Sequence, residues 1–283
     1  FYTLETNTDR ISALLYMHGF DIPLKDVEFR KITSGHLKDA ALTAGTRLIE
    51  GSTNLRQFLD PFMSWGRISH GAALASVGHL LGSEYSSLII PATHTYADHY
   101  AWGSHPLLDP LWSSESLEVE HDGAGTTRVE KTRVISSSSS AQKHLRVCWQ
   151  KTGEYNCGRC EKCMRTKIAL KLTGVLDKFE TFDSSVTVSD VAGLPIRNDN
   201  DLSFAKENLE FARQTRQTEL AQALATAVEA YQQRARTTAT TNPYFDVEAL
   251  AKRVAAVENS VRSMRNLWPI RIWLRFSRWR HRK

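Results

Sequence analysis

All four cysteines of this 283-residue chain lie in one short stretch, CWQKTGEYNCGRCEKC. Their spacing is Cys148-x8-Cys157-x2-Cys160-x2-Cys163. The two x2 intervals bring three sulfurs around one point, and the fourth arrives from an upstream segment. Four thiolates at tetrahedral corners suit Zn²⁺ and leave no open coordination position. The pattern therefore predicts a structural zinc site, in which Gly158 supplies a tight turn.

Two other uses of the four cysteines stay open. Two disulfides are possible, but bridges between cysteines at x2 spacing would be strained, and no secretory context supports them. An iron–sulfur cluster also takes four thiolates, although this spacing differs from that of the ferredoxins. Zinc is the favoured interpretation, and nearby cations are expected to offset the negative charge of the thiolates. These cations are Arg146, Arg159, Lys162 and Arg165.

Strand and helix patterns alternate along the first part of the chain. The predicted strands are 11–16, 47–50, 88–92 and 117–120, and the predicted helices are 1–6, 26–43, 54–59, 69–81, 126–135 and 161–172. Such alternation predicts an α/β fold, a parallel sheet with flanking helices. Two long helices, 204–234 and 246–264, are predicted to follow. We therefore expect an α/β domain over 1–195 that holds the zinc site at 148–163, a helical extension over 196–265 and a basic aromatic tail over 266–283.

Polar residues follow the clearest buried strand, 88–92. Ligands of open α/β sheets bind beyond the carboxyl ends of the strands, so this loop is the predicted binding pocket. Its candidate residues are Thr93, His94, Ser104, His105 and Asp109. Arg67, ahead of the helix 69–81, could hold a carboxylate or phosphate. For each of these residues, the alternative is an ordinary turn, capping or surface role.

The charge of the chain is concentrated at its end. The net charge is +5, yet residues 261–283 hold eight Lys and Arg and no acidic residue, which leaves 28 basic against 31 acidic residues elsewhere. The body therefore lacks the basic patch of a nucleic-acid-binding domain. The tail interleaves tryptophans with arginines, which suits an anionic membrane surface or RNA, or simply a solvated end. No apolar run is long enough to predict a transmembrane helix.

The cysteine pattern, followed by Arg165 and an apolar helix, resembles the zinc site of the 7-cyano-7-deazaguanine synthases. These enzymes belong to the N-type ATP pyrophosphatase (PP-loop) superfamily. The segments HPLLDP and TRVEKTRVI, the second of which carries Arg128 and Lys131, fit the same resemblance, which covers roughly residues 1–175. It implies a Rossmann-like fold of the adenine nucleotide alpha hydrolase type. It also implies that Lys131 is a candidate catalytic residue, that Arg128 binds nucleotide or substrate, and that His18 and Asp21 contact ribose or adenine. The alternative for His18 and Asp21 is an ordinary turn at the end of a strand.

The activity implied by the resemblance is that of an ATP-dependent ligase. Such an enzyme adenylates a carboxylate or carboxamide, releases pyrophosphate, and forms a C–N bond as AMP leaves. ATP and Mg²⁺ would be required, beside the structural Zn²⁺, in a cytoplasmic protein that could be peripheral to the membrane. The superfamily's Ser-Gly-Gly-x-Asp-Ser loop does not occur in these 283 residues. We expect it upstream of Phe1, and we expect the given chain alone to lack ATP-splitting activity.

A different class of function stays open beside the ligase. In that alternative the chain is a non-catalytic, zinc-stabilised module that binds RNA or an anionic membrane through residues 266–283. No Gly-x-Ser-x-Gly motif supports a serine hydrolase.

Overall fold

A computed structural model describes residues 1–98, 100–150 and 155–241, together with 255, 258 and 259. The chain divides into two compact units, Phe1–Tyr231 and Gln232–Lys283. The predicted helix 246–264 and the tail 266–283 lie outside the described residues, apart from three helical positions. None of the described helices is both long and apolar enough to cross a membrane.

The described strands confirm the prediction of a mixed α/β protein with parallel pairing. They are β1 (Ala13–His18), β2 (Arg47–Ser52), β3 (Ser87–Pro91) and β4 (Glu118–Asp122). Strand β1 pairs with β2, and β3 pairs with β4, both in parallel, in two separate two-stranded sheets. Because the members of each pair run the same way, their carboxyl ends lie side by side.

Helices account for most of the regular secondary structure among the described residues. They are α1 (Tyr2–Thr6), α2 (Val27–Thr43), α3 (Leu55–Leu59), α4 (His70–Leu80), α5 (Arg128–Ile135), α6 (Ser139–His144), α7 (Glu161–Leu172), α8 (Val188–Ala192), α9 (Asp199–Gln214) and α10 (Thr218–Thr241). Short helical turns occur at Trp65–Ser69, Asp109–Trp112 and Leu176–Lys178. The sequence explains where two of these helices begin. Asp26 caps the N-terminus of α2, and Thr127 and Glu130 form a capping box at the N-terminus of α5.

The main hydrophobic core surrounds α7. This core extends from Ile135 to Val228 and includes residues of α6, α9 and α10. Helix α7 is buried on nearly all sides, and its buried residues include the charged Glu161, Arg165 and Lys167. A helix buried all round is normally apolar, so these three charges need specific partners. Those partners lie at the candidate site.

The helical region beyond residue 195 differs from the expected long helix. The predicted helix 204–234 is two helices, α9 and α10, with a break at Arg216, whose φ is +58°. Neither glycine nor proline marks this break in the sequence. Helix α9 packs against α5 and α7, and the first compact unit runs past residue 195 to Tyr231.

Candidate functional site

The four cysteines form one cluster, and all four sulfurs lie within 4.8 Å of one another. The sulfurs of Cys148 and Cys160 are 3.8 Å apart, and those of Cys157 and Cys163 are 4.0 Å apart. A disulfide bond is only about 2.05 Å long, so none of these pairs is bridged. Tetrahedral Zn–S bonds of about 2.3 Å would place the sulfurs about 3.8 Å apart. The cluster therefore fits a metal ion such as zinc.

The backbone around the cluster holds the sulfurs in place. The amide of Cys160 donates to the sulfur of Cys157, and that of Gln150 to the sulfur of Cys148, both at 3.3 Å. Gly158 has a φ of +69°, and a β-carbon there would lie 2.8 Å from a carboxylate oxygen of Asp183. The tight turn expected at Gly158 is thus confirmed, and a larger residue would be strained there.

Two of the cations expected to offset the thiolates face aromatic rings instead. The guanidinium of Arg146 lies 5.1 Å from the ring centroid of Phe29. That of Arg165 lies over Phe204 and donates to Glu161. On the other side of α7, the amine of Lys167 donates to both carboxylate oxygens of Asp183, at 2.8 and 2.9 Å. The cysteine cluster thus lies at the start of α7. The buried charges of this helix, Arg165 and Lys167, contact Glu161, Phe204 and Asp183 and not the sulfurs.

Helices α5 and α7 each bring one arginine to the loop that follows β3. Arg128 begins α5, and its Nη2 donates to the carbonyl oxygen of Thr93 at 3.1 Å. Arg165 lies one turn into α7, and its Nη1 donates to Oε1 of Glu161 at 3.1 Å. Both guanidinium groups lie over the ring of Phe204 on α9, with Cζ 5.1 and 3.8 Å from its centroid. We call Arg128, Arg165, Lys131 and His94 the cationic cluster.

The cationic cluster contains buried nitrogen atoms without partners. The Nε atoms of Arg128 and Arg165 and both ring nitrogens of His94 have no hydrogen-bond partner among the described residues. The His94 ring stacks on Phe204, with centroids 5.7 Å apart. Burial and the positive charge of Arg128 lower the pKa of His94 to about 4, so the ring is neutral at pH 7. Buried polar groups normally have partners, and unpaired donors beside two guanidinium groups suit an anion.

Lys131 joins the cluster from the next turn of α5. Its Nζ donates to the carbonyl oxygen of Ala92 at 3.1 Å, directly after β3. Gly123, with a φ of +83°, leaves room for this side chain, since a β-carbon there would lie 3.1 Å from Cε of Lys131. Burial and the charge of Arg128 lower the pKa of Lys131 to about 8.

An open groove of about 660 Å³ runs between α5 and α9 and contains Glu207, whose carboxylate accepts the backbone N–H of Arg128. The charged residues that line it are Asp98, Glu130, Arg133, Asp199, Lys206, Glu207 and Glu210. Carboxylates outnumber cations in the groove, so the groove itself does not suit an anion.

Ser104, His105 and Asp109 form a buried network of their own. The Asp109 carboxylate is fully buried and accepts from Ser104 Oγ at 2.6 Å, His121 Nδ1 at 2.7 Å and the His105 amide at 3.2 Å. Ser104 and His121 bond the same carboxylate oxygen, so they do not form a serine–histidine–aspartate relay. This network fixes the shape of the loop, and both carboxylate oxygens of Asp109 are engaged within the protein.

The remaining predicted site residues, His18, Asp21 and Arg67, differ in burial and in their partners. His18 is buried, and its Nε2 donates to the carbonyl oxygen of Pro23 at 2.9 Å. Asp21 is exposed after β1 and interacts electrostatically with Lys162 on α7. Arg67 is exposed on the turn Trp65–Ser69. The structure thus gathers Thr93, His94, Arg128 and Lys131 in one place, while His18 lies in the core.

Two residues at the cluster were not predicted as binding residues. Arg165 was expected only as a charge near the metal. Its position inside an apolar helix was a usable signal, since a buried arginine requires a partner. Phe204 carried no such signal, because nothing local indicates that a ring on α9 meets arginines on α5 and α7.

Comparison with known proteins gives this chain no relative. No family model matches it, and neither a curated protein nor a solved structure does so.

Proposed function

We propose that this chain belongs to an ATP-dependent, AMP-forming ligase that activates a carboxylate or carboxamide and forms a C–N bond. The observation that carries the proposal is the cationic cluster beyond β3. There the buried Nε atoms of Arg128 and Arg165 lack partners among the described residues. Preorganised donors in a water-poor site stabilise phosphate charge far better than the same groups in water.

In the proposed reaction, the substrate oxygen attacks the α-phosphorus of ATP, and the bond to pyrophosphate breaks. A nitrogen nucleophile then attacks the activated carbon, and AMP leaves. Arg128 and Arg165 would bind phosphate oxygens through the guanidinium donors that Thr93 and Glu161 leave unused. Lys131 adds a positive charge next to them. Each group would offset negative charge that develops on the α-phosphate or on the departing pyrophosphate.

The proposal also covers the fold type, the bound metal ions and the cellular compartment. We propose a Rossmann-like arrangement of the adenine nucleotide alpha hydrolase type, supported by the parallel strand pairs and by a cluster at the end of β3. The cysteine cluster would hold a structural zinc ion that fixes the start of α7 and hence Arg165. The Mg²⁺ ion would be held mainly by the ATP phosphates. Four unbridged cysteines fit a reducing compartment such as the cytoplasm.

The first experiment measures pyrophosphate binding to the 283-residue chain by calorimetry. We expect a saturable site that the substitution Arg128→Met weakens by about tenfold to a hundredfold, as expected for losing a charge-assisted hydrogen bond. The matched control is Arg47→Met, which removes the same charge from an exposed position at the start of β2. This control should leave the dissociation constant unchanged.

The second experiment tests the chemistry on the protein in its natural form. ATP is supplied with a panel of carboxylic acids and ammonium, and pyrophosphate and AMP are measured. Acid-dependent release of both products supports the ligase. No pyrophosphate binding, or binding that Arg128→Met leaves intact, would overturn the assignment of the site. Binding without product from any acid would favour the non-catalytic alternative.

A further inference from the structure

Phe204 on α9 contacts three members of the cationic cluster. It is 3% exposed, and it lies under Arg128 and Arg165 and stacks on His94. We infer that Phe204 is a positioning residue: it keeps the two guanidinium groups away from the acidic side chains of its own helix, so that their Nε donors stay free for an anion. This inference rests on the proposed function, because it assigns a role within that same site.

Glu161 on α7 already accepts a hydrogen bond from Arg165 Nη1, and two further carboxylates lie near the arginines. Glu207 and Asp201, on α9, act electrostatically on Arg165, and Glu207 also acts on Arg128. Both carboxylates have other partners. Asp201 accepts from Arg197, with Nε at 2.8 Å, and Glu207 accepts the backbone N–H of Arg128 at 2.8 Å. Neither one makes a direct side-chain hydrogen bond to the guanidinium groups of the cluster.

An aromatic ring and a carboxylate contact different parts of an arginine side chain. The ring face attracts the flat side of a guanidinium group through its quadrupole. The N–H donors point outward in the plane of the group, so stacking leaves them available. A carboxylate uses those donors directly, and such charge-assisted hydrogen bonds are stronger than cation–π contacts. If the ring were absent, we expect Arg165 and Arg128 to turn toward Glu207 and to lose affinity for an anion.

The contact with His94 extends the same role. The neutral His94 ring packs on Phe204, and its two nitrogens lack partners among the described residues. A single ring thus contacts three side chains that carry nitrogen atoms without partners among the described residues. Helix α9 is itself tied to the site, since Nδ2 of Asn208 donates to the carbonyl oxygen of Arg165 at 3.2 Å.

The test uses four variants of the 283-residue chain and measures pyrophosphate affinity, thermal stability and zinc content. Phe204→Leu keeps the apolar volume but removes the ring face, and we expect a dissociation constant raised by about tenfold or more. Phe204→Trp keeps a ring face and should stay within about threefold of the wild type. Phe211→Leu is the matched control. This phenylalanine lies on the same helix and contacts Arg133, outside the cluster, so its loss should leave the affinity unchanged.

The fourth variant separates positioning from mere packing. In Phe204→Leu/Glu207→Gln the carboxylate that acts on both arginines is gone, so we expect much of the lost affinity to return even if the stability does not. The inference is overturned if Phe204→Leu binds like the wild type, or if the double variant binds no better than the single one. If the wild type itself binds no pyrophosphate, it is the proposed function that fails.

Discussion

The side-chain amine of Lys131 lies 3.1 Å from the carbonyl oxygen of Ala92, and this hydrogen bond ties α5 to the residue that follows β3. The amine is half-buried next to Arg128. This location explains a lysine pKa lowered to about 8 from the ordinary value of 10.5, because burial and a like charge both disfavour the protonated form.

The first prediction concerns the pH dependence of pyrophosphate binding. Since Lys131 loses its charge near pH 8, we expect the affinity to fall between pH 7 and 9.5. The substitution Lys131→Met removes this ionisation, so the ratio of the two dissociation constants should approach one at high pH. Comparing two variants cancels the titration of pyrophosphate itself. A ratio that does not change with pH would contradict a role for the charge of Lys131.

The same shift has a defined sign for stability. Between about pH 8 and 10.5 the unfolded chain holds more protons at Lys131 than the folded chain does. The contribution of Lys131 therefore makes the free energy of unfolding larger as the pH rises through this window. Below the window, the buried charge of the lysine destabilises the fold. Urea unfolding of the wild type and of Lys131→Met over this range measures that difference.

The second prediction concerns the metal. Metal analysis of the purified protein should give about one zinc ion per chain, since four thiolates form a closed site. Removal of the metal, or the substitution Cys163→Ser, should lower the melting temperature by about 10 °C or more, as expected if several kcal/mol of stability are lost. A strong chelator should destabilise the wild type and have no added effect on Cys163→Ser. Iron in place of zinc, or disulfides with no metal, would contradict this prediction.

The third prediction concerns the buried network at Asp109. The substitution Asp109→Ala leaves three donors without their acceptor, so we expect it to lower the free energy of unfolding by about 3–5 kcal/mol. Ser104→Ala removes one donor and keeps the carboxylate paired, so it should cost about 1 kcal/mol. Urea unfolding measures both values. Equal effects of the two substitutions would show that Asp109 does not hold the loop as a shared acceptor.

Local patterns predicted many of the elements well. The helix Glu161–Leu172 was predicted with the bounds that it has, because the cysteine turn ends at Cys160 and Gly174 follows the helix. Parallel pairing followed from the alternation of strands and helices. The split into two sheets could not be predicted, since which strands pair is a tertiary property. The break at Arg216 could not be predicted either, because no glycine or proline marks it.

The candidate site was predictable in part for a similar reason. Thr93 and His94 were found because a strand end was recognised, and Arg128 and Lys131 because their segment resembles a known family. Phe204 reaches the cluster from 39 positions beyond Arg165, and no local signal links two such residues. Contacts of this kind are set by how α9 packs on α5 and α7.

The packing of α9 also decides where a shortened version of this protein can end. A recombinant version that ended near residue 195, where the sequence suggests a boundary, would lose Phe204. It would also expose to solvent the face of α7 that packs against α9. The core continues through Leu220 and Leu224 of α10 to Val228. Shortened versions made for crystallisation or grafting should therefore retain the chain at least to that residue.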